Sequence, residues 1–359
     1  MKVALVYDRV NKWGGAERVL LALHKLFPDA PLFTSVYNPK SAPWARAFRV
    51  KTSFLQHFPF ASSHHELYAP FMPLAFQSFS FDSYDVVISI TSEFAKGIKT
   101  GNKTLHVSYC LTPTRYLWSG YKEYFRNSFF RSISFPLIWI LRKWDKKLSK
   151  SPNIYLAISE EVKKRIKKYY YKDSLVLYPP LTPFRKIKEE KHHLSGYFLV
   201  VSRLVSYKRV DIAIKACKSL NLPLVIIGKG LDERRLKNLA GPNTFFLKNL
   251  TDQELLGYYK NCKALIFPGR EDFGLAILEA QSVGKPVIAY KAGGALEIIK
   301  ENKTGIFFNS QTPKSLIEIL KRFKENKFRE KDCIDQTEAF NVSIFNKKML
   351  SIIRETRKK

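Results

Sequence analysis

The chain has 359 residues, 45% hydrophobic and 26% charged, with 61 Lys+Arg against 31 Asp+Glu and a formal net charge of +30. That length suits two domains, and the hydrophobic share excludes wholesale disorder. The charge implies anionic company, whether nucleic acid, acidic lipid headgroups or a phosphorylated substrate. It is spread at about +15 on either side of residue 180, which excludes a basic arm on a neutral body.

Val3-Ala4-Leu5-Val6-Tyr7 reads as a buried parallel strand, followed by a glycine turn at Gly14-Gly15 and a helix carrying Val19-Leu20-Leu21-Leu23-Leu26. Leu32 to Val36, Asp85 to Ile90 and Thr104 to Cys110 read as further strands. This alternation predicts a doubly wound α/β domain. Tyr178-Pro179-Pro180-Leu181-Thr182-Pro183 and the charged stretch Arg185 to His193 then mark a boundary near 180–194.

The pattern restarts with a strand at Tyr197 to Val201, a helix carrying Val210, Ile212, Ala213 and Ala216, and strands at Leu224 to Ile227, Ala264 to Phe267 and Val287 to Tyr290. A second doubly wound domain is expected, so the domains read as 1–183 and 184–339. A C-terminal segment with Phe340, Ile344, Phe345, Met349 and Ile352-Ile353 on one helical face follows. Cys110, Cys217, Cys262 and Cys333 form no C-x-x-C pair. That argues against a disulfide framework or a zinc site and for a reducing, cytoplasmic compartment. No targeting segment is evident, and no uncharged apolar run approaches the roughly 20 residues a membrane-spanning helix needs.

Three constellations follow strands and precede helices. In Phe267-Pro268-Gly269-Arg270-Glu271-Asp272-Phe273-Gly274-Leu275-Ala276-Ile277-Leu278-Glu279-Ala280, adjacent acids precede a glycine that opens a helix. A helix N-terminus presents N–H groups to an anion, and glycine permits close backbone approach. Glu271 and Glu279 suit the hydroxyls of one extended ligand rather than its phosphates; a capped structural helix with solvated acids fits the same residues. In Ser202-Arg203-Leu204-Val205-Ser206-Tyr207-Lys208-Arg209, an arginine fork and a lysine point charge suit a diphosphate, or are two surface cations of a basic chain. Asn11-Lys12-Trp13-Gly14-Gly15-Ala16-Glu17-Arg18 is not G-x-G-x-x-G and gives no support for a dinucleotide cofactor. It is a turn that approaches phosphate or sugar, or one required by packing.

Arg203 with Lys208, Glu271 with Glu279 and Gly14-Gly15 together resemble the family 4 retaining glycosyltransferases. Gly284-Lys285-Pro286-Val287-Ile288-Ala289 and Gly293-Gly294-Ala295-Leu296-Glu297 extend the resemblance. Tyr109-Cys110-Leu111-Thr112-Pro113-Thr114-Arg115-Tyr116-Leu117-Trp118 is similar to bacterial mannosyltransferases of surface-polysaccharide (O-antigen and capsule) assembly.

The resemblance implies the GT-B fold, two Rossmann-like domains facing across a cleft. The N-terminal one would serve the acceptor, and the C-terminal helix, about 340–359, would return to it. It implies that Arg203 and Lys208 hold the donor diphosphate and that Glu271 contacts the transferred sugar. Backbone groups of Asp272, Phe273, Gly274 and Leu275 would help. Glu279 would bind the ribose, and Gly228 and Gly230 would border the nucleotide. Gly14, Gly15, Thr112, Pro113, Arg115 and Tyr116 would line the cleft from the N-terminal domain.

The family's histidine before Thr-Pro is Leu111 here, and His106, on a strand, would face elsewhere. No Asp-x-Asp occurs, so no metal and no cofactor is expected. The implied partners are a nucleotide sugar, with GDP-mannose first, and a glycan or polyprenyl-diphosphate-linked acceptor. The alternative is another GT-B reaction: the Glu271–Glu279 and Arg203–Lys208 pairs count against a nucleotide-sugar epimerase, and a phosphorylase would need a pyridoxal-phosphate lysine site that the sequence does not mark. A nucleic-acid binder rests on the charge alone, and no nucleic-acid partner is expected.

Tyr121 to Lys150 mixes Phe125, Phe129, Phe130, Phe135, Leu137, Ile138, Trp139 and Trp144 with Lys122, Arg126, Arg131, Arg142, Lys143, Lys146, Lys147 and Lys150. Only Glu123 and Asp145 oppose that charge. The expectation is an amphipathic element on an anionic membrane surface, peripheral on the cytoplasmic face.

Overall fold

Short uninterrupted apolar runs fold here as buried parallel strands, and two sheets result. The computed structural model describes residues 1–124, 128–181 and 195–357. Thr182, Pro183 and Arg185 to His193 of the expected boundary lie outside the described residues, as do Phe125 and Arg126 and the side chains of Lys122, Phe129 and Phe130. The chain divides into two compact units: Met1–Pro180 with the segment from Val342 onward, and Leu181–Asn341.

The first unit contains β1 (Val3–Tyr7), β2 (Leu32–Thr34), β3 (Val50–Thr52), β4 (Val86–Thr91), β5 (Leu105–Cys110), β6 (Ile154–Ala157) and β7 (Leu175–Val176). Their order is β3-β2-β1-β4-β5-β6-β7, with every pairing parallel. A parallel strand covered on both faces needs apolar residues at each position, and β1 is buried along its whole length. The helices are α1 (Gly15–Leu26), α2 (Met72–Gln77), α3 (Tyr121–Tyr124), α4 (Ser128–Leu148) and α5 (Glu160–Tyr170). Helix α1 buries Val19, Leu20, Ala22 and Leu23, one face of a 3.6-residue repeat. The strand expected over Leu32 to Val36 stops at Thr34. There Ser35 Oγ turns away to donate to the Asp8 carbonyl at 2.5 Å, and Val10 bridges Tyr37.

The second unit contains β8 (Tyr197–Val201), β9 (Leu224–Ile227), β10 (Thr244–Leu247), β11 (Cys262–Phe267), β12 (Val287–Tyr290) and β13 (Gly305–Phe308). Their order is β10-β9-β8-β11-β12-β13, again all parallel. Its helices are α6 (Val210–Ser219), α7 (Glu233–Leu239), α8 (Asp252–Asn261), α9 (Leu275–Ser282), α10 (Ala295–Ile298), α11 (Pro313–Arg322) and α12 (Glu330–Thr337). One core joins Val200, Ile226 and Ile266 of the sheet to Ile214 of α6 and Leu316 of α11. Helix α13 (Val342–Arg357) belongs to the first unit and packs on α1 and β5, with the Phe345 ring 5.9 Å from that of Tyr109.

In each sheet the strand order reverses beside its first strand, between β1 and β4 and between β8 and β11. Open α/β sheets bind ligands beyond the carboxyl ends of strands at such a reversal.

Candidate active site

At the reversal in the second unit, β8 runs into Ser202-Arg203-Leu204, which lies along the loop leaving β9. Ser202 N donates to Ile227 O at 3.0 Å, Leu204 N to Lys229 O at 3.0 Å and Asp232 N to Leu204 O at 2.9 Å. Gly228 has a φ of 151°, and a Cβ there would collide with the Ser202 carbonyl. Gly228 and Gly230 therefore act through the backbone, holding the loop that carries Arg203. The exposed Arg203 donates from Nη2 to Tyr207 Oη at 2.7 Å. A 3₁₀ turn, Ser206–Lys208, then leads into α6.

The loop leaving β11 approaches from the neighbouring strand. Lys208 Nζ forms an ion pair with Glu271 Oε2, the side chains being 12% and 19% exposed. Gly294 N donates to Glu271 O at 2.9 Å, and a Cβ on Gly294 would strike the Phe273 backbone. The glycine pair after β12 thus supports the loop of Glu271, a function its place in the sequence pattern did not reveal. Phe273 is buried with its ring 5.8 Å from that of Phe340. Gly274, φ 121°, is the N-cap residue of α9, whose first residue is Leu275, and no side chain caps this helix end. Glu279, 5% exposed on α9, accepts from Tyr259 Oη at 2.7 Å. Tyr259 carries no site signal in the sequence, since its role comes from packing of α8 on α9.

The structure brings Lys208 and Glu271 together and sets Arg203 on the adjoining loop. Asp272, Gly274 and Leu275 follow in the same segment, and Glu279 lies further along the helix they open. Such cations and a helix N-terminus without a side-chain cap have the chemistry to bind an anion, and a carboxylate has that to accept hydrogen bonds from hydroxyls.

In the first unit, Gly14 is the N-cap residue of α1 and Gly15 its first residue. Thr112 and Pro113 are buried and Arg115 and Tyr116 half-buried in the loop after β5. Thr112 Oγ1 accepts from Arg165 Nη1 at 3.5 Å. His106 is buried on β5 with Nε2 2.8 Å from Ser89 Oγ, a packed strand residue whose imidazole burial pushes down to about 3.

Sequence reasoning missed Asp8, Arg9 and Glu93, which meet at the β1/β4 reversal. Arg9 Nη1 lies 2.5 Å from Glu93 Oε1. The Asp8 carboxylate accepts from the N–H groups of Ser92 at 2.6 Å, Glu93 at 3.0 Å and Ala95 at 2.9 Å. Burial, then the Glu93 charge, raises the Asp8 carboxyl above its ordinary range. The available signal was that Asp8-Arg9 follow β1 as Ser202-Arg203 follow β8.

Residues 183–340 match the family Glycosyl transferases group 1. That match covers less than half of the chain. It is similar to the O-antigen chain mannosyltransferase C of Escherichia coli, 25% identical over 195 residues, or 50% of this chain and 51% of that protein. It is also similar to a GDP-mannose-dependent alpha-mannosyltransferase of Corynebacterium glutamicum, 33% identical over 110 residues, 30% of this chain and 26% of that one. The matches therefore span about half or less of these curated relatives. The whole chain resembles the solved structure of Anabaena HepE in complex with UDP-glucose, with a TM-score of 0.72, 16% identity, and coverage of 99% of this chain and 100% of that one. The stretch that matches group 1 thus sits in a chain of GT-B fold.

Proposed function

We propose that the chain is a family 4 retaining hexosyltransferase that moves a hexose from a nucleotide-diphosphate sugar to a hydroxyl of a glycan or polyprenyl-diphosphate-linked acceptor. GDP-mannose is the first donor to try, because two relatives are named as mannosyltransferases. The observation that carries this reading is the meeting of Lys208 and Glu271 at the β8/β11 reversal inside the stretch that matches group 1.

In this reading residues 184–339 bind the donor, and residues 1–183 with the C-terminal helix serve the acceptor. Arg203 and Lys208 hold the diphosphate, and Glu279 binds the ribose. Glu271 and the backbone of Asp272, Phe273, Gly274 and Leu275 hold the sugar. Gly14, Gly15, Thr112, Pro113, Arg115 and Tyr116 flank the acceptor.

The bond from C1 to the diphosphate oxygen breaks and its electron pair leaves on that oxygen. The acceptor oxygen bonds to C1 on the same face, and its proton passes to the departing phosphate. Arg203 and Lys208 offset the charge that develops there, so the mechanism needs no metal and no enzyme-bound sugar. The reaction takes place at the cytoplasmic face of the cell membrane, where a lipid-linked acceptor is presented.

The test is a donor screen read by product mass, with the new linkage assigned by NMR. A product one hexose heavier, formed with retained configuration, is expected. Inverted configuration, or no transfer from any nucleotide sugar, overturns the proposal.

A further inference from the structure

Helix α4 carries most of the aromatic and cationic residues that the sequence placed between Tyr121 and Lys150. Its inward face is made by Ile138, Leu141 and Leu148, all buried. Its outward face is apolar along the first half, with Ile133 62%, Phe135 53%, Leu137 45%, Trp139 49% and Ile140 50% exposed. From Lys143 onward the exposed positions Lys143, Lys146, Lys147 and Lys150 are cations. Asp145, counted in the sequence as opposing that charge, faces inward and is fully buried in an ion pair with Lys96. The surface is accordingly more positive than the sequence tally implied.

Cations and aromatic rings alternate where the two halves join. Lys143 Nζ stands 3.5 Å from the centre of the Trp139 ring, and Lys146 Nζ 4.3 Å from that of Tyr171, which caps α5. Helix α5 adds the exposed Lys164 and Lys168. A contiguous exposed apolar patch marks an interaction site. Apolar and aromatic groups followed by lysines match the order of acyl chains, interfacial zone and anionic headgroups. Among the described residues no helix is long and apolar enough to cross a membrane, so the fit is to the interface.

The same helix grips the loop after β5. Asp145 accepts from Thr114 Oγ1 at 2.8 Å, Trp118 Nε1 at 2.7 Å and Lys96 Nζ at 2.6 Å. Arg142 Nε donates to Leu117 O at 2.6 Å, and its guanidinium lies over the Trp118 and Tyr121 rings at 5.6 and 4.7 Å.

We propose that the first half of α4 is a wedge that inserts into the interface of an anionic bilayer, with Arg142 and Asp145 tying its seating to the Thr112–Trp118 loop. Docking itself is independent of the transferase reading; the benefit of an ordered loop to the acceptor rests on it.

The test uses the full chain and vesicles of phosphatidylcholine with or without phosphatidylglycerol. Wild type is expected to sediment with the anionic vesicles only, and brominated acyl chains are expected to quench tryptophan fluorescence, a signal that Trp139→Phe removes. Ile133→Ser/Leu137→Ser/Ile140→Ser should cut the bound fraction at least tenfold with an unchanged Tm, because these side chains are exposed. Amides of residues 112–118 should exchange more slowly on vesicles. Undiminished binding by the serine variant, absence of quenching, or a soluble oligomer that the serine variant disperses each overturns the wedge. Nucleoside-diphosphate titration of the same variants, expected to match wild type, separates failure of docking from failure of the transferase reading.

Discussion

Lys208 and Glu271 are ion-paired across the two loops that leave β8 and β11. Each neutralises the other where the proposed mechanism needs both separately, the cation for phosphate and the carboxylate for sugar hydroxyls. In the proposed mechanism a donor diphosphate would compete for Lys208 and, in drawing it away, would free Glu271.

Opposite effects on binding and turnover follow from that pair. Glu271→Ala should lower turnover at least about tenfold, equivalent to about 1.4 kcal/mol of barrier. It should bind nucleoside diphosphate no more weakly than wild type, since Lys208 loses its competitor. Single-turnover kinetics and titration of the same variant measure the two. Near-normal turnover contradicts the assignment of Glu271.

Glu279 and Tyr259 give a second, separable effect. Tyr259→Phe removes the hydrogen bond at 2.7 Å at a cost of about 1 kcal/mol of stability. It also loosens the carboxylate assigned to the ribose. KM for the donor should rise several-fold with kcat nearly unchanged. A 2′,3′-dideoxy nucleotide should bind weakly to wild type and no differently to Glu279→Ala. Equal loss of kcat and kcat/KM would move Glu279 from ribose binding to the reacting centre.

Gly294 tests the support of the Glu271 loop. A Cβ there meets the Phe273 backbone, so Gly294→Ala should cost about 1–3 kcal/mol by overpacking. Turnover should fall further than the small Tm shift explains, because the loop carrying Glu271 is displaced. Unchanged turnover would show that the loop does not lean on this glycine.

Acid sensitivity follows from His106. Burial holds its pKa at about 3 against an ordinary 6.5. Between those values the unfolded chain binds a proton that the folded chain refuses. Stability is therefore complete above about pH 6.5 and is lost as pH falls through the window. His65, also held at about 3, first by its burial and then by the Arg9 charge, adds in the same direction. Asp8, raised by burial, acts in the opposite sense, so the variant is compared with its parent. His106→Gln should flatten the fall of Tm between pH 7 and pH 4. Parallel profiles would contradict this.

Most central strands were legible because burial on both faces forces continuous apolar runs, as in Val3–Tyr7, Tyr197–Val201 and Leu224–Ile227. The edge strands β3, β7, β10 and β13 were not read, and neither was β6, inside the first sheet. β3, Val-Lys-Thr, carries no such run, and β10, Thr-Phe-Phe-Leu, is only half-buried. At the site, Arg203, Lys208, Glu271 and Glu279 stood out as charges placed between strand and helix. Tyr259 and Gly294 act through contacts with other elements, and Arg9 with Glu93 is a pair 84 residues apart. None of these leaves a local pattern. Asp145 misled for the converse reason: a lone acid among lysines reads as surface charge until its buried partner Lys96 is seen.

The most direct measurement is a calorimetric titration of GDP and guanosine, with UDP and uridine in parallel, into wild type, Arg203→Ala and Lys208→Ala. Charge-assisted contacts to the diphosphate should make one nucleoside diphosphate bind wild type and bind each variant at least about tenfold more weakly, about 1.4 kcal/mol. The matching nucleoside should bind all three proteins alike. Diphosphate binding that is absent from wild type, or unchanged in both variants, would contradict a donor site at the β8/β11 reversal.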